Sequence, residues 1–384
     1  MNYTEATYLL TSKEKIQPQQ EVNKIIDFLS LSRTPLPVKL GEVEDFYDTD
    51  LKVYKVLFKV QFPVSLFRHD LYSILSLTYG EMILPYRIKL IDIDFPPAFL
   101  DHFKGANYGI KGIQDYLEIH HRPLLVSTLR PAVGLKKEEI GQIFESLIDG
   151  GIDIVREDEL FFNEGFAPFE SRIEYISQLK AKLQEKHSRK IVYAPFLSGN
   201  LEEIENKINF AVQRHIRIFV LNLFPLGFET VRYLSEKFEI GLILNLSYPS
   251  FFFENDNFGI QPDLLFGKLT RLSGGDMVLI PSPYRYKNIP HFKSVEIAES
   301  LREDFENIKP VYPVLYGDIY PQDLYKIFED FGNLVAIDIG NSYQKHKAGI
   351  TAGAKAYFDT LNCVVNSISL EACKSLSKEL KEFK

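Results

Sequence analysis

The stretch GGIDIVREDELFFNEGFAPFESRI, residues 150–173, decides the fold. It opens as an apolar strand over 152–155 and runs straight into four charged residues, Arg156, Glu157, Asp158 and Glu159. Apolar strands that end in packed charge are a mark of parallel α/β proteins, whose ligands sit outside the carboxyl ends of the strands. A metal or acid/base site in this chain is expected here.

Outward from that stretch the same rhythm repeats. Apolar runs fall at 123–129 (PLLVSTL), 152–155, 190–197 (KIVYAPFL), 216–223 (IRIFVLNL), 240–247 (IGLILNLS), 276–282 (DMVLIPS), 311–316 (VYPVLY) and 334–340 (LVAIDIG). Amphipathic helical segments separate them, among them 136–150, 200–214 and 294–308. Continuous apolar strands alternating with helices predict a parallel sheet, and eight such units in about 250 residues predict a TIM (β/α)8 barrel. The barrel is assigned to 116–384. The preceding part, 1–115, reads as a small α+β domain of ferredoxin-like type, with strand patterns at 7–12, 53–62 and 87–95 and a helical pattern at 70–77. Pro96 and Pro97 break the pattern, and the glycine-rich GANYGIKGI, 105–113, reads as a linker.

Composition excludes several classes. Hydrophobic residues make up 45% of the chain, enough for a large core, and the net charge of −8 is spread without a basic stripe, which argues against nucleic acid. The two cysteines, Cys363 and Cys373, lack metal-ligand spacing, so neither a disulfide framework nor a zinc site is expected. No apolar run reaches the roughly 18 residues of a membrane span, and the first residues are too polar for a signal peptide, so a cytoplasmic protein is expected. Ser198 and Ser282 have no visible histidine and acid partners, and no phosphate-binding glycine loop of the P-loop kind occurs.

With a barrel, the strand ends define the mouth: Thr128 and Arg130, Arg156 to Glu159, Ser198, Asn222, Asn245 and Ser247, Pro281 and Ser282, Tyr316, Asp338, and Gly340 to Ser342. This polar rim with its arginines suits a small anionic ligand.

These residues carry a resemblance. FPPAFLDHFKGANYGIKGI (95–113) followed by HRPLLVSTLRPAVGL (121–135) resembles the junction between the N-terminal domain and the barrel in the RuBisCO superfamily. Residues 150–173 resemble that superfamily's second barrel strand, and RLSGGD (271–276) its turn into the sixth. FFNEGFAPFESRI (161–173) and PSPY (281–284) are most similar to RuBisCO-like proteins of the 2,3-diketo-5-methylthiopentyl-1-phosphate enolase type.

The resemblance implies a homodimer, in which the N-terminal domain of one subunit closes the barrel mouth of the other. It also implies a Mg2+ site formed by a carbamylated lysine, an aspartate and a glutamate. Asp158 and Glu159 match the two carboxylates, but Arg156 stands at the lysine position, and a guanidinium cannot supply the neutral amine that carbamylation needs. Two outcomes stay open: Arg156 pairs with these carboxylates in place of the metal, or magnesium is held weakly by Asp158, Glu159 and water. Arg130 matches a first-strand lysine, and Arg87 the proton-abstracting lysine of the enolases, with Lys89 either a substitute base or a solvated side chain. Ligand contacts are assigned by the same matching to Asn245, Ser282, Tyr316, Gly340, Asn341 and His346, the last flanked by Lys345 and Lys347, which either bind an anion or are merely solvated. Arg285, Tyr286 and Lys287 do not reproduce the family's Val-Val-Gly-Lys loop, which argues against carboxylation of ribulose bisphosphate. His120 and His121 fall on the bottom of the barrel and read as structural. Two functions remain: an enolase, isomerase or lyase acting on a small phosphorylated or carboxylated sugar derivative, with Arg87, Arg130 and Arg156 as catalytic candidates, or a non-catalytic binding or regulatory protein.

Overall fold

The computed structural model describes residues 3–14, 20, 23–24, 27, 38–80, 88–162, 165–246, 255–284 and 290–383. The N-terminal part is an antiparallel sheet. Strand β1 (Tyr3–Ser12) buries Thr4, Ala6, Tyr8 and Leu10 on one face, and β3 (Val53–Pro63) buries Val56, Phe58, Val60 and Phe62. β1 lies between β3 and β4 (Ile88–Asp94), and β2 (Lys39–Asp48) pairs along the outer side of β3. β2 had no signature in the sequence, because its largely exposed KLGEVEDFYD lacks the alternation of a half-buried strand.

The barrel contains β5 (Leu124–Leu129), β6 (Ile154–Glu157), β7 (Val192–Ala194), β8 (Ile218–Asn222), β9 (Gly241–Asn245), β11 (Met277–Pro281), β12 (Tyr312–Tyr316) and β13 (Ala336–Asp338). They form one parallel sheet in the order β7-β6-β5-β13-β12-β11-β9-β8, and the bridge from Phe196 to Val220 joins its two ends. Each of the eight apolar runs becomes one of these strands. Their almost complete burial follows from helices covering the outside and side chains filling the inside. Between β9 and β11, the short β10 (Gly259–Ile260) leaves the barrel and pairs in parallel with β4, becoming the fifth strand of the N-terminal sheet.

Two expectations are corrected. The glycine-rich 105–113 is no linker. Gly109–Leu117 is a helix that buries Ile110, Ile113 and Leu117, and Gly109 takes φ +62 where an added Cβ would stand 2.8 Å from the Pro310 carbonyl. Its glycine marks a close approach of backbones. Cys363 and Cys373 form a disulfide with Cα atoms 5.9 Å apart, because the chain reverses between helices Ile350–Val365 and Leu370–Leu376. A separation of 10 residues conveys nothing of that reversal.

RLSGGD is structural. Arg271 is fully buried and donates to the carbonyls of Ser300 (2.9 Å), Ile308 (2.8 Å) and Lys309 (3.2 Å). Asp276 accepts from the backbone N–H groups of Tyr108 (2.6 Å), Gly109 (2.9 Å) and Leu242 (2.9 Å), which ties the helix at 109–117 to the barrel. Burial outweighs these bonds and pushes the Asp276 carboxyl up to about 6. Among the described residues no helix is long and apolar enough to cross a membrane.

A carboxyl raised in the folded state stabilises the fold fully below its unfolded value, 3.8, and loses that contribution as pH rises through about 6. The penalty of Asp276→Asn in urea titrations is therefore expected to shrink as pH rises from 4 to 7.5, by on the order of 3 kcal/mol. A pH-independent penalty would contradict this.

Candidate active site at the barrel mouth

The central contact is an ion pair across the top of the barrel. Arg156, the third residue of β6, reaches past β5 to the last residue of β13, and its Nε donates to Asp338 Oδ2 at 2.6 Å. The Arg156 side chain is 8% exposed and that of Asp338 is fully buried. Thr128 Oγ1 also donates to both Asp338 oxygens, at 3.1 and 3.0 Å, and the Gly340 N–H donates to Oδ1 at 2.8 Å. Of the two outcomes left open, the pairing of Arg156 with Asp158 and Glu159 is corrected, because β6 ends at Glu157 and Asp158 leaves the strand's alternation.

Asp158 turns instead to the loop after β5. Its Oδ2 accepts from Arg130 Nε at 2.8 Å and Nη2 at 2.6 Å, while its Oδ1 accepts the Leu160 N–H at 3.1 Å. Arg130 is about half exposed, so its guanidinium is held by Asp158 yet open to the mouth. The loop after β13 supports it from behind, since Gln344 Nε2 donates to the Arg130 carbonyl at 2.8 Å. Glu159 Oε2 accepts from two amides, Asn222 Nδ2 at 2.9 Å and Asn245 Nδ2 at 3.2 Å.

Glu157 was read as part of the mouth, and that reading is corrected, because strand alternation turns it to the opposite face from Arg156. It faces away from the mouth and is fully buried against helix Phe169–His187, accepting from Arg172 at 2.5 and 3.2 Å, from the Tyr193 hydroxyl and from the Phe196 N–H at 2.9 Å. Its signal was Arg172, a cation at an inward position of an amphipathic helix. The carboxylate and burial together raise the Tyr193 hydroxyl well above its ordinary range, burial being the larger cause.

The remaining candidates divide. Ser282 and Tyr316 are neighbours at the ends of β11 and β12, with the Ser282 N–H donating to the Tyr316 carbonyl at 2.8 Å; Ser282 is fully buried and Tyr316 half-buried. Tyr284 of PSPY is directed outward, donating to Asp330 at 2.6 Å. Asn341 is exposed beside Gly340, and a Cβ on Gly340 or Gly349 would meet open space. Gly340 cannot offer its N–H to an anion while Asp338 accepts it. His346 is buried with both ring nitrogens engaged: Nδ1 accepts the Ala348 N–H at 3.1 Å, which leaves Nε2 to donate to the Glu379 carbonyl at 3.0 Å. It ties the C-terminal helix Lys378–Glu382 to the loop rather than facing the mouth. Lys345 donates to the Tyr320 hydroxyl at 2.5 Å. Lys89 is not solvated but 3% exposed on β4, and burial lowers its pKa. Arg87, Ser247, Arg285, Tyr286 and Lys287 lie outside the described residues.

The donor set does not fit magnesium. A hard cation seeks several anionic or neutral oxygens, but both Asp158 oxygens already accept hydrogen bonds. Among the described residues no group of three or more His, Cys, Asp or Glu could hold a metal ion.

Comparison with known proteins agrees with the fold. The family described as ribulose bisphosphate carboxylase large chain, catalytic domain, matches residues 109–286. A 2,3-diketo-5-methylthiopentyl-1-phosphate enolase of Bacillus cereus is 31% identical over 322 residues, covering 82% of this chain and 77% of the relative. The chain belongs to the RuBisCO family, as a RuBisCO-like protein. A second enolase of the same name, from Geobacillus kaustophilus, is 28% identical over 405 residues and covers 100% of this chain and 97% of its own. A RuBisCO-like protein from Alicyclobacillus acidocaldarius superposes with a TM-score of 0.90 at 21% identity, covering 100% of this chain and 99% of that one. The dimeric archaeal Rubisco from Hyperthermus butylicus does so with 0.88 at 23%, covering 99% and 94%. This RuBisCO-like chain thus keeps the family's fold while its mouth is arranged around two arginines.

Arg156→Ala would leave Asp338 charged and buried, and is expected to cost about 3–5 kcal/mol of stability. Arg130→Ala strips its cation from the buried Asp158, but the lost guanidinium is half exposed and water can take its place, so the expected cost is smaller, about 1–3 kcal/mol. Urea unfolding of the two variants side by side checks the ranking.

Proposed function

We propose that this RuBisCO-like protein binds a small anionic, phosphorylated-sugar-like ligand at the barrel mouth, without a divalent metal and without carboxylating ribulose bisphosphate. The observation that carries this is Arg156 on Asp338, which puts a permanent, buried cation at the head of the second strand. With that charge fixed, Arg130 is, among the described residues, the guanidinium at the mouth that an anion can reach, held in place by Asp158 and still half exposed. Guanidinium groups suit phosphate and carboxylate because their N–H donors form a fork.

The enolases among its relatives support an enolase or isomerase type of reaction, in which a base removes a proton next to a carbonyl. A second reading, binding or regulation without turnover, is favoured by the way the carboxylates of this segment are held. Asp158 is engaged by Arg130, Asp338 by Arg156 and Thr128, and Glu157 by Arg172 and Tyr193. A carboxylate whose oxygens are already taken up by such donors is not placed to receive a proton from a substrate. We also propose a homodimer in the cytoplasm, as the family resemblance implies, built from an N-terminal domain at 1–115 and a barrel domain at 116–384. Light scattering that returns the mass of a single chain would refute the dimer.

Calorimetric titration of inorganic phosphate into the protein in EDTA tests the main reading. Binding is expected to be unchanged by added magnesium and bicarbonate and to weaken about 10- to 100-fold in Arg130→Ala, the loss of one charge-assisted contact. Phosphate binding that requires magnesium would overturn it. Arg156→Lys alone is expected not to gain turnover of the diketo phosphate named for the relatives, even with magnesium and bicarbonate, because Arg87 still stands where the resemblance places the enolases' proton-abstracting lysine. Measurable turnover by that variant would refute this.

A further inference from the structure

The helix Ile350–Val365 follows β13, the last barrel strand, so the chain after it is not needed to complete the barrel sheet. Two further helices nevertheless follow, Leu370–Leu376 and Lys378–Glu382, and they run back along that helix. Cys363 is joined to Cys373, Asp359 Oδ2 accepts from Ser377 Oγ at 2.7 Å, and Lys355 Nζ lies 3.8 Å from the Glu379 carboxylate. Each step toward the start of the helix is matched by a later residue of the added segment, whose end therefore arrives at the level of the mouth. There the Glu379 carbonyl accepts from His346 Nε2 at 3.0 Å. The Phe383 ring packs against those of His346 and Tyr357, with centroids 6.0 and 5.4 Å apart.

His346 ends the short turn Ser342–Lys345, and that turn touches Arg130. Gln344 Nε2 donates to the Arg130 carbonyl at 2.8 Å, and the hydroxyl of the buried Tyr343 does so at 3.4 Å. The turn is also pressed onto the last barrel helix, since a Cβ added to Gly353 would collide with the Tyr343 carbonyl. Arg130 is thus gripped twice, its guanidinium by Asp158 and its main chain by the turn. A long side chain binds an anion more tightly when both its ends are fixed, because freedom left in the unbound state is lost on binding. We propose that the C-terminal segment positions Arg130 for its anion, with His346, Tyr343 and Gln344 as positioning residues that carry the contact from Glu379 to the mouth. The proposal rests on the reading of Arg130 as the anion-binding group.

Two readouts test it: main-chain hydrogen exchange at 129–135 by mass spectrometry, and calorimetric titration of inorganic phosphate in EDTA. His346→Leu removes the donor to Glu379, and Gln344→Ala removes the nearer donor to Arg130. In both variants exchange at 129–135 is expected to quicken at least about three-fold. The phosphate Kd is expected to rise about 3- to 10-fold with the number of sites unchanged, the loss of one neutral hydrogen bond. His346→Gln, whose amide can donate in place of Nε2, is expected to bring both values back to within about two-fold of wild type. In an Arg130→Ala background, His346→Leu is expected to change phosphate binding no further, a result that general loss of structure would not give. Exchange at 129–135 that keeps its wild-type rate in His346→Leu, or quickened exchange with unchanged phosphate affinity, would overturn the proposal. If the wild-type protein binds no phosphate, the anion reading of the mouth fails, and the exchange rates alone decide whether the C-terminal segment holds the loop. Gln344 is exposed, so its variant tests the last contact even if His346→Leu folds poorly.

Discussion

The pair between Arg156 and Asp338 is the constraint on which the mouth depends. Both partners are buried, Asp338 completely, and a buried charge of this kind is tolerated only while its partner and its hydrogen bonds are in place. Thr128 and the Gly340 N–H complete the shell of Asp338, so the pair joins β6, β5 and β13 at their carboxyl ends. Once Arg156 is committed to β13, it cannot neutralise Asp158. A second cation becomes necessary, and Arg130 supplies it from the loop after β5. The two arginines are therefore one electrostatic solution, in which Asp338 and Asp158 each have their own guanidinium.

This arrangement splits the mouth. On the side of β5 and β13 the accessible group is a cation; on the side of β7 and β8 it is a carboxylate with an amide, walled by phenylalanine and leucine. The difference lies in how two neighbouring carboxylates are held: Asp158 is covered by the Arg130 guanidinium, whereas Glu159 accepts from the Asn222 and Asn245 amides. A ligand approaching this surface meets different partners on the two sides, a source of orientation more than of affinity.

Much of the fold was legible because eight apolar runs separated by amphipathic segments admit few architectures, and each run became a barrel strand. The site was legible only in part. Asp158 and Glu159 were placed correctly at the end of the second strand, but the partner of Arg156 lies 182 residues away and exists only because the barrel closes. Periodicity describes neighbours along one strand and has no term for a contact across the sheet. The same limit hid the disulfide, which needs a helix reversal, and the helix at 109–117, whose glycines resemble a linker until Pro310 packs against them. His346 carried the family's turn residue, but its ring serves the C-terminal helix, a role visible only once Glu379 is in place.

The two-residue strand β10 looks minor, yet it makes the seam of the sequence differ from the seam of the fold. A cut at the end of the N-terminal part would leave β4 with an unpaired edge, because the strand that covers it is encoded some 170 positions later, inside the barrel. The N-terminal sheet is thus finished only after the fifth barrel strand has been made. During synthesis, the earlier half of the molecule must wait for the later half to seal it.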